Sequence, residues 1–186
     1  MALFAETLVE EALNRRGYFT VRGAKAGQRE MDLLAVRPRD GESPEALHVE
    51  VQASTNPISW ITKWTKRLQS ELNIPRNSMR PRTFEQLAEC AEGWVGEKFT
   101  DAKVQRLRES LWSGLDWRFR LVHGVVAHPE ELDAIKAFGI ETVEFATIVS
   151  ELVELEGEPI RTTSSTAADI AALIGVDRKA RRETNG

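Results

Sequence analysis

Polar and apolar side chains alternate in the segment Leu47-His48-Val49-Glu50-Val51-Gln52. Because successive side chains of a β-strand point to opposite faces, the three apolar residues would share one face and the three polar residues the other. An earlier segment, Gln28-Arg29-Glu30-Met31-Asp32-Leu33-Leu34, ends with two adjacent leucines, which is typical of a strand covered on both faces. The two segments therefore predict a buried hairpin, with the leucine-bearing strand in the middle of a sheet.

The sequence on either side of this hairpin carries further helix and strand patterns. Apolar residues recur every three or four positions over residues 4–16, which predicts an amphipathic helix that ends at Gly17. The predicted order is α, three β, a helical region, β, α, β, α, which indicates an α/β fold with a mixed central sheet flanked by helices. The other predicted elements are strands at 18–21, 31–36, 46–51, 117–126 and 140–145, helices at 83–95, 101–112, 128–139 and 146–155, and a proline-interrupted helical region over 56–115.

The composition is that of an ordinary globular domain. The 186 residues are 41% apolar and 29% charged, so the chain can bury a core. We assign residues 1–158 to one domain and residues 159–186 to a Ser/Thr-rich linker, a short helix and a basic C-terminal tail. Residues 168–176 of this tail resemble part of a helix-turn-helix, but a docking helix followed by a solvated tail is the interpretation that we favour.

The sequence also excludes several classes of protein. No run approaches the roughly 18 to 20 apolar residues of a membrane span, and no basic leader precedes an apolar block, so we expect a cytoplasmic protein with no membrane partner. The single cysteine, Cys90, excludes an internal disulfide and a cysteine-rich zinc site. Any metal would then be bound by oxygen ligands from Asp and Glu.

Charge is distributed unevenly along the chain. The net charge is −4, yet residues 53–82 contain six bases and one acid, whereas residues 128–158 contain nine acids and one base. A polyanion needs only one basic face, so the acidic total does not argue against a DNA partner.

Two carboxylates are expected to meet on the hairpin. If the two segments pair, Asp32 lies beside Glu50, and Gln52 lies about 7 Å further along the same face. Buried carboxylates repel one another, and a cation or a shared proton usually relieves such a pair. A hard cation such as Mg²⁺ suits oxygen ligands. The alternative is a strand with one wet, polar face and no site.

The frame around these residues resembles the PD-(D/E)XK nuclease superfamily, which has the restriction-endonuclease-like fold. In that family a helix bearing a Glu precedes a Gly-aromatic turn, one strand bears the metal-binding Asp, and the next bears Glu-x-Lys. Here Glu6 precedes Gly17-Tyr18, Asp32 follows, and Glu50-Val51-Gln52 completes the pattern. The resemblance covers about the first 55 residues and implies an αβββαβ core.

The resemblance implies a set of ligands and catalytic residues. Asp32, Glu50 and the backbone carbonyl of Val51 would bind Mg²⁺, for which Mn²⁺ could substitute, and Glu6 would act through a water molecule. The metal would polarise the scissile phosphate and lower the pKa of the attacking water. The sequence departs from the family at Gln52, because a neutral amide orients a phosphate but does not neutralise it.

Bases after the motif strand are the expected nucleic-acid contacts. We predict that Lys63, Lys66 and Arg67 bind the DNA backbone, and that Lys63 or Lys66 substitutes for the missing motif lysine. The other interpretation of these bases is a solvated helix surface. Trp60 and Trp64 share helical spacing with them and are expected in the core. His48 is expected to be a satisfied strand residue more often than a base or a phosphate contact.

Two functions follow from these patterns. The first is a Mg²⁺-dependent endonuclease that hydrolyses DNA phosphodiester bonds in restriction, repair or junction resolution, and the family resemblance is compatible with a homodimer. The second is a catalytically inactive relative that keeps the fold for binding nucleic acid or protein, which the missing lysine favours. A fold of this kind supports either function.

Overall fold

The computed structural model describes residues 2–154. The predictions made for the linker, the short helix and the basic tail of residues 159–186 lie outside the described residues. The elements are α1 (Ala2–Arg15), β1 (Phe19–Ala26), β2 (Arg29–Arg37), β3 (Glu45–Gln52), α2 (Lys66–Leu72), α3 (Phe84–Val95), a π-helical turn (Gly96–Thr100), α4 (Ala102–Leu111), β4 (Trp117–His123), α5 (Glu130–Lys136), β5 (Glu141–Glu144) and α6 (Phe145–Glu154).

The five strands form one mixed sheet in the order β1-β2-β3-β4-β5. The pairs β1-β2 and β2-β3 are antiparallel, and the pairs β3-β4 and β4-β5 are parallel. The predicted hairpin is confirmed, because Leu33 pairs with Val49 and Leu34 with His48. The predicted α/β class, with a mixed central sheet flanked by helices, is also confirmed.

Helices cover both faces of the sheet. On one face, α1 and α6 contribute Leu8 and Leu152 to a core that includes Leu33 of β2. On the other face, Leu34 packs with Val104 of α4, and α3, the π-helical turn and α5 surround the C-terminal half of β4. Leu33 and Leu34 are both 0% exposed, as the adjacent leucines predicted. The resulting core has two layers of helices with the sheet between them.

The first strand is longer than its sequence pattern predicted. The prediction covered residues 18–21, but β1 continues to Ala26 because it pairs with β2 as far as Ala26 opposite Arg29. Gly27, with φ +69°, makes the tight turn between the two strands, and glycine adopts this conformation at little cost. The strand predicted for residues 117–126 ends earlier, at His123, and Val126 forms only an isolated bridge with Ile58.

The helical region predicted to begin at residue 56 is wrong for its first ten residues. Residues 53–65, which we call the β3-α2 loop, form no helix, and α2 begins only at Lys66. The i, i+4 spacing of Trp60 and Trp64 therefore does not reflect a helix, although both indoles are buried as expected. The loop is irregular because its amides bind a side chain instead of helix carbonyls: Ile61 N and Thr62 N donate to the buried carboxylate of Glu131, each at 2.8 Å.

Within residues 2–154, no helix has the length and apolar character that crossing a membrane requires.

Candidate active site

Asp32 and Glu50 meet where the β2-β3 hairpin pairing ends. Leu33 and Val49 are the last paired residues at this end, and Asp32 and Glu50 are the next residues in the same register. The Asp32 carboxylate accepts a hydrogen bond of 2.7 Å from the backbone N–H of Val51. This bond replaces a strand-to-strand hydrogen bond and fixes the Asp32 side chain against β3. The expected juxtaposition of the two acids is therefore present.

The backbone of Val51 presents a third oxygen to the same place. In an antiparallel ladder, the N–H and C=O of one residue point to the same neighbouring strand. Because the Val51 N–H points to Asp32, its carbonyl oxygen faces the β2 side as well, beyond the last β2-β3 pair. Two carboxylates and one carbonyl thus converge at this end of the hairpin.

Burial and mutual repulsion make the two carboxylates reluctant to ionise together. Burial, reinforced by the negative charge of Glu50, raises the pKa of Asp32 from its ordinary 3.8 to about 6. Glu50 is 0% exposed, and burial raises its pKa too, although the positive charge of Lys98 opposes this rise. A positive charge placed between the acids would relieve the repulsion.

Glu6 of α1 lies within the electrostatic field of this pair. It is half-buried, and its pKa is raised by burial and then by the charge of Asp32, with smaller effects from Glu30 and Glu50. Its position on α1, which packs on the sheet, brings a third carboxylate towards the site without a direct hydrogen bond to Asp32.

The positive charge at the site comes from Lys98, which sequence reasoning missed. The Lys98 ammonium group forms an ion pair with Glu50 Oε2. Burial tends to lower the pKa of Lys98, but the attraction of Glu50 and Asp32 outweighs it and the pKa is raised. Lys98 also lines the same cavity as Gln52. The motif strand β3 therefore ends in the neutral amide of Gln52, and the π-helical turn supplies the positively charged ammonium group of Lys98.

The π-helical turn is fixed by the side chain next to Lys98. Phe99 is 0% exposed and its ring lies 4.8 Å from His48, 5.1 Å from Phe119 and 5.5 Å from Trp94, measured between ring centroids. Single π-helical turns occur often at functional sites because they redirect one or two side chains out of an otherwise regular helix. Here the wide turn directs Phe99 into the core and Lys98 to Glu50.

His48 is a buried neighbour of Glu50 with a defined tautomer. Arg108 Nη1 lies 2.9 Å from His48 Nδ1 and also donates to the Phe99 carbonyl at 2.8 Å. Because a guanidinium only donates, Nδ1 must accept, and the ring proton lies on Nε2. Nε2 is 3.3 Å from Glu50 Oε1. Burial, followed by the charges of Arg108 and Lys98, lowers the pKa of His48, so the neutral ring donates to Glu50.

The predicted nucleic-acid contacts fall into two groups. Lys63, in the β3-α2 loop, and Lys66, at the start of α2, are exposed and line a cavity of about 680 Å³ that also contains Gln52 and Lys98. Arg67 instead pairs with Glu89 and Glu71 on the exposed surface. The lysine that is ion-paired with Glu50 is Lys98, and the substitution of Lys63 or Lys66 for the motif lysine stays a prediction.

The donor set is limited but suits a hard cation. In the part of the chain that the structure describes, no group of three or more His, Cys, Asp or Glu side chains has the arrangement of a metal site. Mg²⁺ commonly binds through one or two carboxylates and completes its octahedron with water and substrate phosphate. Asp32, Glu50 and the Val51 carbonyl are the residues that would hold such a cation.

We compared the chain with protein-family models, with curated proteins and with solved structures, and none of them matches.

Proposed function

We propose that this protein is a nuclease that hydrolyses DNA phosphodiester bonds with a divalent cation, Mg²⁺ or in its place Mn²⁺. The observation that carries the proposal is the meeting of Asp32, Glu50 and Lys98 at one end of the hairpin. Two carboxylates can hold a divalent cation and a lysine can offset the charge of a phosphate, and both roles serve metal-assisted phosphodiester hydrolysis. The proposal includes membership of the PD-(D/E)XK superfamily.

The topology supports a restriction-endonuclease-like core. The chain runs α1-β1-β2-β3, then β4-α5-β5, with an antiparallel first half of the sheet and a parallel second half. This order agrees with the αβββαβ core that the resemblance implies.

The cation would be held by Asp32, Glu50 and the Val51 carbonyl, and when bound it would polarise the phosphate and lower the pKa of a water molecule. Side chains of the protein offset the phosphate charge and orient the phosphate and the water. Lys98 offsets the negative charge of the phosphate, while Gln52 orients a phosphate oxygen or the attacking water through its amide. Glu6 holds a further water near Asp32. In this arrangement, Lys98 takes the role that the family gives to the lysine of Glu-x-Lys.

Cleavage assays test the proposal directly. Supercoiled plasmid, linear duplex, single-stranded and branched DNA would be incubated with Mg²⁺ or Mn²⁺ and wild-type protein, Asp32→Ala or Glu50→Ala prepared identically. We expect metal-dependent cutting by the wild type and at least about a hundredfold less by either variant. Cutting that survives in both variants would show that the site assignment is wrong. If the wild type cuts none of the substrates, a protein that binds nucleic acid without cleaving it is favoured instead.

The second candidate is a non-catalytic nucleic-acid-binding protein. It is favoured by the Lys98 ion pair, because the lysine already neutralises Glu50 without any metal. This candidate predicts binding that weakens steeply with salt but is indifferent to Mg²⁺ and to the loss of Asp32. Binding that requires the metal and both carboxylates would exclude it.

A further inference from the structure

A cavity of about 680 Å³ adjoins the carboxylate pair. It shares Lys98 and Gln52 with the candidate active site, and Lys63, Lys66 and Trp94 line other parts of its wall. Its volume lies within the range of about 300–1,000 Å³ that is typical of clefts for small organic ligands. Whatever occupies this cavity would therefore lie next to the proposed scissile phosphate.

The cavity wall carries positive charge without partners. In the described part of the chain, Lys63 and Lys66 form no ion pair, whereas Arg29 and Arg76 of the same wall both pair with Glu97, at 3.5 and 3.3 Å. Glu97 is the one acid of the lining. Two exposed ammonium groups that lack carboxylate partners are suited to bind an anion.

The loop that presents Lys63 is held rigidly. Trp60 of the β3-α2 loop stacks on His128 at 3.9 Å between ring centroids, and the Arg82 guanidinium lies 4.2 Å from the centroid of the same indole. Glu131 accepts from two backbone amides of the loop. Because these contacts are internal to the protein, the cavity is formed before any ligand binds, which lowers the cost of binding.

The wall is also partly apolar. Trp60, Trp64 and Trp94 line the cavity beside the lysines, although each of these tryptophans is largely buried. A nucleotide has the matching character, since it combines an anionic phosphate with a flat, weakly polar base. A duplex does not, because its bases are paired inside and it presents mainly phosphate and sugar to a protein surface.

We propose that this cavity binds an unpaired nucleotide next to the scissile phosphate, and that Lys63 and Lys66 hold its phosphate. The inference rests on the proposed nuclease function and names its substrate class, which is single-stranded DNA or DNA with an unpaired segment. The base enters the cavity, and the strand continues over the carboxylate pair.

The test is a binding experiment with the full chain in EDTA, so that it does not depend on cleavage. Fluorescence anisotropy would compare one labelled oligonucleotide as a single strand, as a duplex, and as a single strand with abasic positions. We expect the single strand to bind about tenfold more tightly than the duplex and the abasic strand. Equal affinity for all three would overturn the inference, because it would show that only phosphates are bound.

Matched variants locate the binding. Lys63→Ala combined with Lys66→Ala should lower single-strand affinity about tenfold. The control combines Lys103→Ala with Arg106→Ala, two exposed bases of α4 outside the cavity lining. This control removes the same charge and should change affinity little. An equal effect of both pairs would indicate non-specific attraction and contradict the inference.

The inference and the nuclease function can fail separately. Single-strand preference that depends on Lys63 and Lys66, without cutting, would leave the cavity assignment standing and refute the nuclease. Metal-dependent cutting of duplex and single strand at equal rates, unchanged in the Lys63→Ala, Lys66→Ala variant, would support the nuclease function and refute the cavity assignment.

Discussion

At the scale of single residues, the site depends on which residue supplies the positive charge beside Glu50. Sequence spacing directed attention to position 52 and to the bases that follow it, whereas the ammonium group comes from Lys98. Nothing in the sequence links Lys98 to Glu50, because the two become neighbours only when the π-helical turn packs over β3. Side chains such as Asp32 and Glu50 could be paired from strand periodicity, but a residue supplied by tertiary packing could not.

Moving the lysine from position 98 to position 52 tests the assignment of the positive charge to Lys98. Lys98→Met should reduce DNA cleavage about a hundredfold or more, since a phosphate loses its countercharge. Adding Gln52→Lys to Lys98→Met should restore a large part of the rate, because it returns a lysine to the place where the family has it. Single-turnover cleavage rates would measure both effects. If Gln52→Lys alone raised the rate as much as it does in the double variant, the two positions would be independent and the assignment wrong.

The tautomer of His48 gives a second prediction. His48→Leu removes the N–H donated to Glu50 Oε1, whereas His48→Gln keeps a donor on a side chain of similar reach. We expect Mn²⁺ affinity, measured by calorimetry, to fall about 10- to 100-fold in the leucine variant and much less in the glutamine variant. Similar affinities in the two variants would indicate that the ring only fills space.

At the scale of elements, the π-helical turn Gly96–Thr100 connects core packing to the site. Helical periodicity predicted α3 and α4 almost to the residue, and their caps Thr83 and Asp101 lie at the predicted starts. The wide turn between them has no such signature, since it depends on Phe99 entering the core. Likewise, the β3-α2 loop has helical spacing of its tryptophans but is held by Glu131.

Phe99 should therefore influence catalysis through Lys98. Phe99→Leu leaves an apolar but smaller side chain and should cost about 1–3 kcal/mol of unfolding free energy. Because the turn loses its anchor, cleavage should fall further than the folded fraction does. Chemical denaturation and cleavage rates at a temperature where the variant is fully folded would separate the two effects. Leu132→Val of α5, in the same cluster, is the control, and it should lose some stability but no activity.

At the scale of the whole molecule, the carboxylate pair lowers the stability of the metal-free protein. The pKa of Asp32 is raised to about 6 in the fold, from an ordinary 3.8. Between these values the folded state holds a proton that the unfolded state has lost, so stability falls as the pH rises from about 4 through about 6. Above that range the fold bears the full cost of the ionised group.

Replacing this acid should thus stabilise the protein at neutral pH. Asp32→Asn removes the repulsion with Glu50 and keeps an oxygen that can accept from Val51 N. In EDTA at pH 7 we expect the variant to be about 1–2 kcal/mol more stable than the wild type, with the advantage disappearing near pH 4. Adding Mg²⁺ should raise the melting temperature of the wild type only. A less stable Asp32→Asn at pH 7 would contradict the assigned electrostatics.

The position of Lys98 has one more consequence, for how the protein loses function. The carboxylates belong to the sheet, but their cation belongs to the helical layer packed on it, so the working site exists only while the two layers are docked. Mild heat or denaturant that separates the helical layer from the sheet would abolish cleavage activity before the strands unfold. Cleavage activity would then be lost at a lower temperature or denaturant concentration than the circular dichroism signal of the secondary structure.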